Sequence, residues 1–283
     1  MSNLPVDVQS LDTNKLLSMM SGNSASGSSE QESNNLLPLL RLNHQDEDDD
    51  GNELKKGTFF IAGKDIERVY STEVIFRALG DFMQYLHYDQ EKEGTINRSI
   101  IHTVGQEPID ETGTVRCGRP EGKVFHAMDQ KDKNKYQGIT CFRYLYGLVS
   151  YTGKNGAGET VEVPETPVLF RVKGASFLTF TNEVIKPCAD QNLAFQNVPT
   201  TVSNERKKNG GVTYFVTHFD PDFKNKTELS PNDVEIMKHI LTSITSINDE
   251  VKRKYDDSIR SRQSDSNDSN VLDAVEVFAV VED

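Results

Sequence analysis

Apolar positions recur with two different spacings along this chain, and the change of spacing falls near residue 230. Upstream, apolar residues alternate with polar ones or gather in short runs, the signature of strands. LLPLLRLN from Leu36 and KKGTFFIAG (55–63) are two such runs separated by the acidic QDEDDDGN, which predicts an edge hairpin. Residues 68–89 alternate around Val74, Phe76, Phe82 and Leu86, which predicts a long strand bent at Gly80. FRYLYGLVSYTG (142–153) and VEVPETPVLFRVKG (161–174) flank a Gly-rich GKNGAGE, a strand, loop, strand pattern. GASFLTFTNEVIKPC (174–188) reads as a short helix stopping before Pro187, because the residue preceding a proline disfavours the helical conformation. LAFQNVPTTVS and VTYFVTHF surround KKNGG, a hairpin with an Asn-Gly turn. Downstream, Ser230 caps and Pro231 opens a helix whose Val234, Met237, Ile240, Leu241, Ile244, Ile247 and Val251 return every three or four residues. This helix is expected over about 230–258, fading after Tyr255 into the polar SRQSDSNDSN.

Many short strands followed by one helix predict a β-rich α+β fold, of the partly closed, OB-fold-like barrel type with a C-terminal helix. Residues 21–35 (SGNSASGSSEQESNN) hold no apolar side chain larger than Ala25 and are expected to be disordered, although LDTNKLLSMM before them carries helical spacing. The organisation read from the pattern is therefore an N-terminal arm (1–35), one domain (36–260), and an acidic linker and tail (261–283). NVLDAVEVFAVVED is acidic and apolar at once, the composition of a tethered tail that docks on a basic groove or in a partner pocket.

Charge alters the picture. The formal net charge of −13 resides at the ends: residues 1–54 carry −8, residues 264–283 carry −6, and the span between carries +1. The acidic total therefore does not argue against a polyanionic partner for the body. No window approaches the roughly 18 apolar residues of a membrane span, and no signal-like segment opens the chain, so a soluble, cytoplasmic protein without a membrane partner is expected. Three widely spaced cysteines, Cys117, Cys141 and Cys188, do not describe a disulfide framework and read as thiols.

The most basic stretch is 116–154, net +5, and it is interleaved with aromatics. Cations that follow a phosphate backbone and aromatic faces on which bases stack are what single-strand binding requires. Arg116, Arg119, Lys123, Lys131, Lys133, Lys135 and Arg143 are the candidate phosphate contacts; Tyr136, Tyr144 and Tyr146 are the candidate stacking platforms. Arg206, Lys207 and Lys208, in the hairpin turn, form a second basic cluster. His218, Asp220 and Asp222 alternate in THFDPDF and could sit on one side of an extended chain, the donor set of a metal-dependent nuclease; a strand end followed by a turn is the simpler account. DEDDDGNE (46–53) imitates a calcium loop but has Gly57 where the bidentate Glu belongs, and Cys117, His102, His126 and Cys141 lack the spacing of a zinc site. No catalytic motif is met, so the chain reads as a binder and not an enzyme, without cofactor or metal.

A β-rich body with basic, aromatic strands, then a helix, a polar linker and an acidic tail carrying Phe278 resembles the single-stranded DNA-binding proteins of tailed phages of the OB-fold type. GTVRCGRPEGK and TPVLFRVKG also look like stretches of phage replication-region proteins. The tail departs from that pattern, because AVVED follows Phe278. The resemblance implies coating of single-stranded DNA during replication and recombination, with the tail recruiting a polymerase or helicase. The alternatives are a structural or scaffolding protein whose acidic ends mediate assembly, and the nuclease.

Overall fold

The computed structural model describes residues 37–46, 54–63, 66–106, 108–113, 122–136 and 138–278, with side chains as far as Gln263. The expected disorder of the N-terminal arm, Arg116, Cys117, Arg119, most of the acidic 46–53 loop and the last five residues lie outside these.

Eight strands form one sheet: β1 (Leu39–Leu42), β2 (Phe59–Ala62), β3 (Glu73–Asp89), β4 (Gly94–Arg98), β5 (Ile139–Lys154), β6 (Thr160–Val172), β7 (Thr200–Asn209) and β8 (Val212–Pro221). Two short helices, α1 (Gly122–Ala127) and α2 (Gln130–Asn134), precede β5. A helical connector that includes α3 (Lys186–Asp190) links β6 to β7, and α4 (Pro231–Phe278) ends the fold. The order is β2-β1-β6-β5-β3-β7-β8, with β4 added to the far part of β3. Every pairing between these strands is antiparallel except β1 with β6, which is parallel over Leu39 and Leu40. The architecture is thus α+β, a strand-rich sheet curled into a half-barrel with a helix at its C-terminal end.

The predicted edge hairpin is β1–β2, and the predicted bend in β3 is a bulge, because the register with β5 shifts between Ala78 and Gly80. That bulge exchanges the faces of β3. Val74, Phe76 and Ala78 share one core with Leu145, Val149 and Phe170; past the bulge Leu79 and Phe82 join a second core, on the other face, with Tyr144, Tyr146 and Leu148. α4 covers this second core through Met237, Ile240, Leu241 and Ile244, so its apolar stripe packs on the sheet as the spacing predicts. Its start is a reciprocal cap: Asp233 N–H donates to Ser230 Oγ (3.2 Å) and Ser230 N–H to Asp233 Oδ2 (2.8 Å). Arg77 of β3 donates to the same carboxylate at 2.8 Å, which ties the helix start to the sheet.

Two expectations about helices are corrected. α4 does not fade after Tyr255 but runs to Phe278, since Ser, Asp and Asn weaken a helix without breaking it and neither Gly nor Pro follows Pro231. The connector helix does not stop before Pro187. A wider π turn over Thr181–Ile185 precedes α3 and carries the proline near the start of the next segment, where its missing N–H costs little.

Candidate nucleic-acid interface

The central candidate stretch folds inward. β5 lies between β3 and β6, and both of its faces are covered, so Arg143, Tyr144 and Tyr146 are buried. Arg143 is 1% exposed and grips Asp81 with two hydrogen bonds, Nε to Oδ1 at 2.7 Å and Nη2 to Oδ2 at 2.6 Å. Its Nη1 donates to Phe177 O (3.0 Å) and Thr181 Oγ1 (2.6 Å), and the guanidinium lies 4.9 Å from the centre of the Phe180 ring. This arginine fastens the connector onto the sheet; its donors are taken and it offers nothing to a phosphate. Tyr144 donates to Gln84 Oε1 at 2.8 Å, and Tyr146 packs edge to face on Phe82. Both phenols are pushed up by burial. The expectation that these three residues face a nucleic acid is therefore corrected: their face of β5, or in the case of Arg143 the opposite one, is closed by packing.

The remaining basic residues separate into two groups at opposite ends of β3. α1 and α2 precede Gly138, whose carbonyl accepts from Tyr88 N–H near the end of β3. Thr72 and Glu73, at its start, line a cleft. Seventeen residues of bulged strand at about 3.3 Å each lie between the two, a contour of roughly 50 Å. In the α1–α2 group Lys135 pairs with Asp132 at 2.6 Å, Lys133 Nζ donates to His126 O at 3.0 Å, and Lys123 and Lys131 are exposed. Here Tyr136 packs edge to face on Phe125, with centroids 6.3 Å apart, so the two aromatic rings are partly spent on each other.

At the other end, the cleft of about 630 Å³ is built where the β7–β8 hairpin outruns β3. Gly210, at φ +58°, sits in the turn of the hairpin, and Arg206 stands directly opposite Phe215 across it. The chain between β1 and β2 supplies the facing wall with Asp46, Lys55, Lys56 and Gly57. Gly57 adopts φ +83°, a left-handed conformation, and a Cβ there would lie 2.5 Å from the Phe215 ring. Only glycine lets this turn seat against that ring. Asn204 Nδ2 donates to Gly57 O at 3.1 Å and closes the contact, and His44 tilts over Phe215 with centroids 6.1 Å apart. Lys56 pairs with Asp46 at 2.7 Å and Lys207 with Glu205 at 3.0 Å, while Lys55, Arg206 and Lys208 have no ion pair among the described residues. Cations, an aromatic ring and the hydroxyls of Thr72 and Ser203 thus converge on one opening, together with the carboxylates of Asp46 and Glu73, and the exposed His44 packs against its aromatic ring.

Sequence patterning identified Arg206, Lys207 and Lys208 but not Lys55, Lys56, His44 or Phe215. The available signal was the Lys-Lys-Gly turn ahead of β2, two adjacent cations at a glycine that fixes their direction.

The nuclease set does not assemble. His218 lies between Glu183 (Nδ1, 3.0 Å) and Glu205 (Nε2, 3.2 Å), and the Asp222 carboxylate accepts from Lys224 N–H, Asn225 N–H and Asn225 Nδ2 in a local turn. Among the described residues no group of three His, Cys, Asp or Glu could hold a metal ion. Cys141 is half-buried and its thiol is pushed up to about 11, by burial first; Cys188 is buried. No helix among the described residues is long and apolar enough to cross a membrane. No family model, curated protein or solved structure matches this chain.

Proposed function

We propose that this protein is a non-enzymatic binder of single-stranded DNA and that the strand passes through the cleft between the Lys55–Gly57 turn and the β7–β8 hairpin. The observation that carries the reading is the convergence of Lys55, Lys56 and Arg206 on an opening lined by Phe215, against whose ring His44 packs. Lys55, Arg206 and Lys208 meet the phosphates, and His44 with Phe215 offers the π surface on which a base stacks, worth roughly 1–3 kcal/mol per base. The likeness to an OB-fold rests on curvature alone, since an OB-fold has five strands and this sheet has eight. Duties in phage replication and recombination, and recruitment of a polymerase or helicase by the acidic tail, follow from the resemblance and belong to the same proposal.

The test is a fluorescence-anisotropy titration of labelled oligothymidine with the full chain and with Lys55→Glu/Arg206→Glu, at several salt concentrations. Binding that weakens with salt, with a log–log slope that shallows by about 0.7 for each phosphate contact removed, is expected. Equal affinity of the variant and the natural chain sinks the cleft as the site, and absence of binding by both sinks the function. One observation favours the scaffolding reading in that event: α4 is 48 residues long, about 72 Å of helix.

A further inference from the structure

We propose that the edge of β7 between Asn204 and Asn209 is a strand-addition site for an extended acidic peptide. β7 pairs with β8 over its whole length, from Thr200 opposite Pro221 to Asn209 opposite Val212. On its other side it pairs with β3 only from Thr200 to Ser203, because β3 begins at Glu73. The chain ahead of β3 cannot extend that pairing. Ser71 turns away and exchanges two backbone hydrogen bonds with Phe59, at 2.7 and 3.0 Å.

Six residues of β7 are left without a neighbour on this side, and among the described residues no backbone group bonds to their backbone; the one bond across the gap is from the Asn204 side chain to Gly57 O at 3.1 Å. In an antiparallel strand every second residue points its N–H and C=O away from its partner, so about three such residues face the cleft. The cleft runs along the same edge, lined there by Ser203, Asn204 and Arg206, which shows that the space beside it is open.

Two other edges of the sheet are closed over part of their length in ways this one is not. β8 is sealed by side chains of the connector, with Thr217 N–H donating to Ser176 Oγ (2.9 Å) and Phe219 N–H to Glu183 Oε2 (2.7 Å). The part of β6 not covered by β1 carries Pro164 and Pro167, which cannot donate to a new strand. The open edge of β7 instead carries a net positive charge, Arg206, Lys207 and Lys208 against Glu205, with Lys55 and Lys56 against Asp46 and Glu73 in the cleft. These cations repel the same edge of a second copy, the ordinary protection of an edge strand. They attract a strand whose side chains are acidic, and main-chain pairing then supplies affinity while the charges supply selection. The inference does not depend on nucleic-acid binding, but Arg206 is common to both, so the two ligands exclude one another.

The probe is a fluorescein-labelled octapeptide of alternating Val and Glu, and a second copy with prolines at two central positions and the same charge. Each is titrated against the full chain and against R206E/K208E, with hydrogen exchange of residues 204–209 as a second readout. The alternating peptide is expected to bind and to slow exchange at that edge, while the proline peptide and the variant each weaken binding by about tenfold or more. Equal binding of the proline peptide reduces the effect to charge and overturns the proposal, as does failure of the alternating peptide to bind. Peptide binding without oligothymidine binding removes the nucleic-acid reading and leaves this one; the reverse result removes this one alone.

Discussion

Two segments carry the same sequence signature, cations interleaved with aromatics, and fold to opposite ends. On β5, Arg143, Tyr144 and Tyr146 are enclosed; on the distal β7–β8 hairpin, Arg206 and Lys208 stand open beside Phe215. Local composition does not separate them. The number of neighbours does: β5 has a strand on each side, a helix over one face and the connector over the other, whereas β7 loses β3 after Ser203. A basic, aromatic strand is therefore accessible to a ligand only where the sheet stops covering it.

The sharpest way to break the comparison is to cut the interior arginine. Arg143→Ala leaves Asp81 buried without its counter-ion, and removal of one partner of a buried pair costs about 3–5 kcal/mol. Urea denaturation is expected to show that loss as a shifted midpoint, with no change in ligand affinity at conditions where the variant remains folded. A variant as stable as the natural chain would mean that Arg143 is not an interior fastener. Gly57→Ala comes next. It strains a left-handed turn and drives a methyl group into Phe215, so it should cost about 1–3 kcal/mol and displace the ring that floors the cleft. Affinity for oligothymidine falls with stability in this case, while Arg143→Ala separates the two.

Acid probes the interior half of the same contrast. His102 is buried; burial draws its imidazole below the ordinary 6.5, and the hydrogen bond of its ring to Thr103 O only partly opposes that. The unfolded chain therefore takes up this proton first as pH falls through about 6.5, and stability declines from there until the folded imidazole titrates as well. Asp233 behaves as a depressed carboxylate. Burial raises it, but hydrogen bonds from Arg77 and Ser230 outweigh burial and hold it below 3.8. Its contribution is complete above 3.8 and disappears as pH drops through the lower folded value. Urea midpoints recorded from pH 8 to 3 are expected to fall in these two windows, and Asp233→Asn is expected to shrink the lower one, to which Glu250, depressed by Lys254 and Arg98, also contributes.

What the sequence discloses here is what is decided locally. The Ser230 cap with Asp233 three residues on, the bend at Gly80 and the hairpin turn at Asn209-Gly210 each depend on residues a few positions apart, and each is legible. The partner of Arg143 is 62 positions upstream, and the bulge that presents Asp81 to it exchanges the faces of β3, so parity along β5 alone does not reveal which side is buried. The cleft is hidden for the same reason: Lys55 and Arg206 meet only because a left-handed glycine lets one turn settle on Phe215. The length of α4 is ambiguous locally: the lack of Gly and Pro after Pro231 permits the whole helix, while the polar run after Tyr255 has the composition of a helix end.

The smallest expected effect is at the α1–α2 cluster. Lys131→Glu/Lys133→Glu/Lys135→Glu reverses the charge of three residues that composition marks as phosphate contacts. Lys135 is already engaged with Asp132, Lys133 with a backbone carbonyl, and Tyr136 with Phe125. The group lies roughly 50 Å of strand from the cleft, several times the Debye length of about 8 Å at physiological salt. Its field does not reach a ligand held between Lys55 and Arg206. Affinity for a short oligothymidine should then change less than about threefold at 0.15 M salt, with an unchanged salt slope. A large loss on a short oligonucleotide would place this cluster in contact with the strand and assign the site to the wrong end of β3; a loss confined to oligonucleotides long enough to span both ends would make the two basic groups successive stations on one path.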